Sequence, residues 1–170
     1  MDFKEKIRLI QDFPQPGVNF KDITTLLKDG KAFHAAIDQM VEQLKSKEID
    51  LVIGPEARGF VVGTPLAYAM GVGFIPVRKA GKLPGETVET GYSLEYGKDR
   101  LAIHKDAIRP GQRVLIVDDL LATGGTVNAT LDLVRQLEAD VVGAAFVIEL
   151  TYLHGRAKLP DLDIYTLIQY

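Results

Sequence analysis

The sequence predicts an α/β fold in which a mostly parallel central sheet is flanked by helices. Three observations lead there. Apolar runs of strand length alternate with segments whose apolar residues recur at helical spacing. The run RVLIVDD has no polar alternation before its acids, as expected of a parallel strand covered on both faces. Of the 170 residues 46% are apolar and 25% charged, which is ordinary for a globular chain able to bury a core.

The opening MDFKEKIRLIQDF reads as a short helix, its apolar positions broken by charges, unlike the apolar centre of a signal peptide. FPQPGVNFKDI follows and is turn-rich, because two prolines and a glycine punctuate it. Phe33, Ile37, Val41 and Leu44 then recur at helical spacing, giving an amphipathic helix over about residues 31–46. IDLVIG is an apolar strand ending at Gly54, with an apolar helix after it near residues 60–70. VGFIPV is the next strand and runs into the basic turn RKAGK. Residues 82–100, rich in Gly, Pro, Thr and Ser, read as a long loop or a mobile hairpin. Beyond RVLIVDD a helix covers about residues 125–138, with Val127, Leu131, Val134 and Leu137 on one side. VVGAAFVIEL and IYTLIQY close the chain as strands. No repeat, linker or low-complexity run intervenes, so residues 1–170 are read as one domain.

A formal charge of only −3 gives no global field toward nucleic acid or an acidic membrane, so neither is expected as a partner. An anionic ligand must instead be held by local cations or backbone amides. With no cysteine, disulfides, thiolate metal sites and cysteine nucleophiles are excluded. No stretch approaches the roughly 18 apolar residues of a membrane span. The expectation is a soluble cytoplasmic domain. His34, His104 and His154 show no ligand spacing and receive no role.

In such sheets ligands collect where strands end and helices begin. The most informative segment, VLIVDDLLATGGT over residues 114–126, has that form. A buried strand ends in Asp118 and Asp119, and a short loop of small residues and hydroxyls leads straight into a helix. Ala122, Thr123, Gly124 and Gly125 let a ligand approach successive amides, while Thr123 and Thr126 add hydroxyls. The helix N-terminus contributes unpaired N–H groups and a dipole that favours anions. A monoesterified phosphate suits the loop, and vicinal hydroxyls suit two carboxylates, which only accept hydrogen bonds. Together they describe a ribose 5-phosphate. Consecutive strand residues face opposite ways, so both acids meet one sugar only if the strand breaks up there. Neither a Walker loop nor a dinucleotide fingerprint is present.

A hydrophobic strand, two acids and a TGGT loop resemble the signature of the phosphoribosyltransferases. The resemblance extends from Phe13 to Tyr170 and is to the adenine-using members in particular, through FPQPGVNFKDIT, GPEARGF, VRKAGKLPG, YSLEYG and ELTYLHGRAKL in that order. It implies a type I fold with a small base-binding hood and a mobile loop, purine salvage as the activity, adenine and phosphoribosyl pyrophosphate as substrates, and a homodimer. It implies Mg²⁺ as cofactor, held mainly by substrate and water, with no dedicated protein metal site.

By the same resemblance GPEARGF binds pyrophosphate through Arg58, where the residues alone show a tight turn with one guanidinium. Arg78, Lys79 and Lys82, alone a solvated basic turn, are assigned to pyrophosphate as well. Many relatives carry a further basic residue where Ala80 stands. Phe20, which on its own reads as a core aromatic, becomes a platform for the purine, and Leu120 covers the other face. Backbone groups at Asn19 and Lys21 read the amino edge of adenine. Glu95, alone an ordinary loop charge, becomes the catalytic acid/base. Glu149 and Arg156 read as structural or interface residues. Two rivals stay open: a phosphoribosyltransferase for a 6-oxopurine, and a regulator that senses phosphoribosyl pyrophosphate.

Overall fold

A computed structural model of the chain describes residues 1–94 and 97–170. A 3-10 turn at Phe3–Lys6 precedes β1 (Arg8–Ile10), which pairs antiparallel with β2 (Phe20–Asp22). The helix expected at the N-terminus is therefore a single tight turn followed by a strand. Two three-residue strands are too short to show a period, which is why the pattern missed them. Between them Gly17 adopts φ +85°, and its N–H donates to Asp12 Oδ1 at 2.7 Å, closing the reversal.

Next come α1 (Thr24–Lys28) and α2 (Gly30–Leu44), the second started by Asp29, whose Oδ1 accepts the Ala32 N–H at 3.1 Å. The remaining elements are β3 (Leu51–Pro55), α3 (Arg58–Met70), β4 (Gly73–Lys79), β5 (Thr87–Leu94), β6 (Gly97–His104), β7 (Arg113–Leu121), α4 (Gly125–Gln136), β8 (Asp140–Glu149) and β9 (Ile164–Gln169). They build a seven-stranded sheet in the order β5-β6-β4-β3-β7-β8-β9. The five strands from β4 to β9 run parallel, and the hairpin β5–β6 is added antiparallel at the β4 edge. Of the two forms expected over residues 82–100, a loop or a hairpin, the described residues show the hairpin.

Each central strand feeds both faces. Val52, Leu115 and Val117 pack with Ala36, Met40 and Leu44 of α2 and Val62 and Leu66 of α3. Ile53, Ile75, Val77 and Val114 pack on the other face with Ala129, Leu133 and Val134 of α4. Val114 through Val117 are all fully buried, which accounts for the unbroken apolar run.

The small β1–β2 unit is pinned by Asp22. Its carboxylate accepts the Thr24 N–H at 2.9 Å, the Thr24 hydroxyl at 2.7 Å and Arg8 Nε at 2.9 Å. The Thr24 amide leads these contacts, which outweigh burial and hold the carboxyl down to about 2. A pKa depressed on folding contributes stability above the ordinary carboxylate range that is lost as pH falls toward 2. Asp22→Asn is expected to lower unfolding free energy at pH 7 by about 1–2 kcal/mol, with the deficit closing below about pH 3. Urea unfolding at several pH values checks this, and a deficit independent of pH would refute the ionic contribution.

Candidate active site

Parallel pairing sets the ends of β4, β3 and β7 side by side, and the loops that leave them converge. Strand β7 loses its β3 partner after Ile116, and its pairing to β8 skips Asp119. The Asp119 N–H is taken instead by Asp118 Oδ1 at 2.8 Å. The strand runs on through the acid pair to Leu121 with its ladder interrupted at Asp119, and both carboxylates line the same two cavities. Asp119 is buried and receives Arg58 Nε on Oδ2 at 2.6 Å. Asp118 is partly buried, and burial first, then the neighbouring Asp119 charge, push its carboxyl well above the ordinary range.

The first cavity, about 190 Å³, is lined by Arg58, Asp118, Asp119, Leu120 and the loop Ala122–Thr126. Gly124 has φ +83°, a conformation that favours glycine, and no side chain caps α4 behind it. The first amides of α4 are therefore left for a ligand. The second cavity, about 330 Å³, shares Arg58, Asp118, Asp119 and Thr126 with the first and adds Glu56, Ala57, Lys79, Tyr92 and Leu101. The peptide between Glu56 and Ala57 in its wall is cis. A larger opening of about 660 Å³ at the foot of the hairpin, beside Pro84, Glu86 and His104, contains none of the expected site residues. It is set apart from the three strand ends, so the smaller pair of cavities is the chemically equipped one.

An amide-lined loop, two carboxylates and a cation-bearing wall around two joined cavities form a place for a phosphorylated sugar with a second anionic group. Comparison with known proteins agrees. The Phosphoribosyl transferase domain family matches residues 24–168. The chain belongs to that family. The adenine phosphoribosyltransferase of Brevibacillus brevis is 62% identical over all 170 residues, covering 100% of both chains. Among solved structures, the adenine phosphoribosyltransferase of Thermoanaerobacter pseudethanolicus superposes with a TM-score of 0.97 at 55% identity, covering 99% of this chain and 98% of that one. The Saccharomyces cerevisiae adenine phosphoribosyltransferase, complexed with an imino-altritol bisphosphate and adenine, gives 0.92 at 43% identity, covering 98% and 96%. Within the phosphoribosyltransferases the chain is of the adenine type, and its fold is the type I fold of that family.

Measured against the expected phosphoribosyltransferase residues, the structure brings Asp118, Asp119, Leu120, Ala122, Thr123, Gly124, Gly125, Thr126 and Arg58 together around one cavity. Lys79 joins Arg58 at the other. Arg78 and Lys82 do not line either cavity; they turn to Glu56, at 3.3 and 3.6 Å. Phe20 is half-buried rather than a core residue, stacked edge-on against Phe13 at 5.3 Å, with the Arg58 guanidinium 5.4 Å from its ring centre. That places the β1–β2 unit beside the acid pair. Asn19 is exposed, and the Lys21 ammonium lies over Tyr170 at 4.3 Å, pointing away from Phe20's neighbour Arg58. Glu95 lies outside the described residues.

Sequence reasoning passes over four contributors. Glu56 was seen only as part of a turn, yet it is the anchor of the cationic wall. Tyr92 and Leu101 close the second cavity from the hairpin. Gly155 packs beneath the phosphate loop so closely that a Cβ would stand 2.4 Å from the Ala122 carbonyl oxygen. It is set there by Arg156, whose guanidinium donates to both oxygens of buried Glu149 at 2.6 and 2.8 Å. Only the HGRAK landmark hinted at this, since the contact spans more than thirty positions of sequence.

Asp118 yields a test with a definite sign. A carboxyl raised on folding lets the folded chain bind more protons than the unfolded one between its two pKa values, so stability falls as pH rises through that window. Asp118→Asn removes the loss while keeping an oxygen for the Asp119 N–H. Its melting temperature is expected to exceed wild type at pH 7, with the gap shrinking toward about pH 4. Equal melting temperatures at neutral pH would rule out a crowded, desolvated charge at this position.

Proposed function

We propose that this chain joins adenine to the ribose of phosphoribosyl pyrophosphate, releasing AMP and pyrophosphate, as a Mg²⁺-dependent cytoplasmic homodimer. The observation that carries this reading is the pair of cavities sharing Arg58, Asp118, Asp119 and Thr126. One wall offers amides for a 5-phosphate, the other cations for pyrophosphate, and the carboxylates between them offer acceptors for a ribose diol. Adenine as the base is supported by relatives that carry that activity in their names at about this chain's full length.

A ring nitrogen of adenine attacks the anomeric carbon as the bond to the pyrophosphate oxygen breaks. Positive charge develops on the ribose in an oxocarbenium-like transition state. No side chain is placed as a nucleophile, so the rate rests on positioning and electrostatics. Arg58 exchanges Asp119 for the leaving group as Asp119 takes a ribose hydroxyl. Phe20 supports the purine plane, Leu120 covers its other face, and backbone at Asn19 and Lys21 meets the amino edge.

Among the described residues no group of three or more acidic, histidine or cysteine side chains converges to hold a metal. Asp118 and Asp119 are hard oxygen donors that line both cavities and would be the protein groups available to Mg²⁺, which prefers such ligands together with substrate oxygens and water. When bound it neutralises charge on the leaving pyrophosphate. No helix among the described residues is long and apolar enough to cross a membrane. Exposed Val61 and Tyr68 lie seven positions apart on the outer side of α3 and suit a subunit contact.

Adenine is expected to be used at least about tenfold better than hypoxanthine or guanine, equivalent to about 1.4 kcal/mol of transition-state discrimination. Product analysis with Mg²⁺, phosphoribosyl pyrophosphate and a panel of bases measures it, and equal use of a 6-oxopurine sinks the assignment. Glu95 is proposed to take or steady the imidazole proton of adenine. Glu95→Gln is then expected to lower kcat by about 10²–10⁴ with little change in phosphoribosyl pyrophosphate binding. A wild-type chemical step in single-turnover kinetics removes Glu95 from the mechanism.

A further inference from the structure

Every cation assigned to the pyrophosphate end already has a carboxylate partner inside the chain. Arg58 Nε meets Asp119 at 2.6 Å and Lys79 Nζ meets Asp99 at 3.3 Å. Arg78 Nε and Lys82 Nζ lie 3.3 and 3.6 Å from the two oxygens of Glu56. Glu56 also accepts the Lys79 N–H at 2.8 Å, and its own N–H donates to the Val77 carbonyl at 2.9 Å. Its side chain is only 14% exposed, and it forms part of the wider cavity wall with Arg58 and Lys79. Burial alone would raise its carboxyl, but the Lys79 amide, Lys82 and Arg78 outweigh that and hold it below the ordinary range. Arg78 Nε, although buried, makes no hydrogen bond; the ion pair holds it by charge without claiming its proton.

We infer that Glu56, assisted by Asp99, is the internal counter-anion of the pyrophosphate subsite, holding its cations when the site is empty and competing for them when pyrophosphate is bound. The inference rests on the reading of the second cavity as that subsite. Its physical basis is the sign of the charges. Left unopposed, Arg58 and Lys79 in the cavity wall, with Arg78 and Lys82 held beside it through Glu56, would grip a multiply charged product that must leave on every turnover. A carboxylate fixed in the wall repels that product and gives Arg78 and Lys82 a partner as it departs. Asp99 does the same for Lys79 from the hairpin, where it pairs across the strands with Tyr92 of the cavity wall. A purely structural Glu56, stapling the β3 loop to the end of β4, leads to the opposite result: neutralising it would loosen the cations and weaken the anion they bind.

The two roles are separated by calorimetric titration of Mg²⁺-pyrophosphate and of AMP into wild type, Glu56→Gln and Asp99→Asn. Glutamine keeps an acceptor for the Lys79 N–H, and melting curves report whether that variant is folded. Asp99 is half-buried on the hairpin beside Lys79, and asparagine keeps an acceptor for the Arg100 N–H, so Asp99→Asn carries the test if Glu56→Gln fails to fold. Each variant is expected to bind pyrophosphate about three- to tenfold tighter, the effect of removing one partly screened like charge. AMP, whose phosphate belongs to the amide loop in the other cavity, is expected to stay within about twofold of wild type. Pyrophosphate binding that is unchanged or weaker overturns the role of the residue concerned, as does equal tightening of AMP. Failure of wild type itself to bind pyrophosphate would instead overturn the reading of the cavity, before any variant is compared.

Discussion

Parallel pairing of β4, β3 and β7 aligns three strand ends, and each charged group of the site hangs from that alignment. Lys79 ends β4, Arg58 starts the helix after β3, and the acid pair lies just before β7 ends at Leu121. Burying both faces of these strands leaves their ends as the place where polar backbone meets solvent. The alignment has a local cost. Two carboxylates on neighbouring residues repel one another, and burial adds to the penalty at Asp118. Arg58 offsets it by reaching Asp119, and the same guanidinium lies near the Phe20 ring. One side chain thus connects the acid pair, the cavity wall and the β1–β2 unit.

Glycine contacts fix how near these parts come. A Cβ on Gly59 would stand 2.8 Å from the Pro55 ring and 3.2 Å from Asp118 Oδ1, so the start of α3 can approach the acids only without one. Gly124 and Gly155 meet back to back beneath the phosphate loop, and a Cβ on Gly124 would stand 3.0 Å from the Gly155 carbonyl oxygen. The buried Glu149–Arg156 pair holds the C-terminal turns in that position. Its role is architectural, since it reaches the loop through backbone packing.

The legible parts of the sequence were the contiguous ones. Residues 113–136 contain strand, acids, loop and helix in unbroken order, so the strand-to-helix junction and its residues were readable locally. The apolar periods of α2 and α4 and the run of β7 likewise gave their elements to within a few residues. What stayed hidden was non-local or too short. Strands β1 and β2 have three residues each. Hairpin β5–β6 was legible only as one of two alternatives, because its strand-breaking residues also suit a loop and its pairing to β4 is non-local. The basic cluster read as three free cations because the acids that hold it stand about twenty positions away, at Glu56 and Asp99. Only folding shows that the cluster is neutralised from within.

Internal neutralisation also reconciles the net negative charge of the chain with an anionic ligand. A site of bare cations would attract pyrophosphate and 5-phosphate alike, with little to distinguish them. On the proposed reading the 5-phosphate is offered neutral amides, Lys79 lines only the other cavity, and Arg58 stands between the two. Because Arg58 and Asp119 belong to both cavities, separating that single ion pair prepares both at once: it frees a guanidinium toward the leaving group and a carboxylate toward the ribose. The cost of separation is moderated by the exposed position of Arg58, whose side chain is 53% exposed while Asp119 is 6% exposed. Solvent can therefore receive the guanidinium as the pair opens, but the buried carboxylate is left needing a donor. In the proposed reaction a ribose hydroxyl supplies that donor. Sugar binding and release of the arginine are then two sides of one exchange, and the buried acid makes the exchange selective for a ligand that brings both.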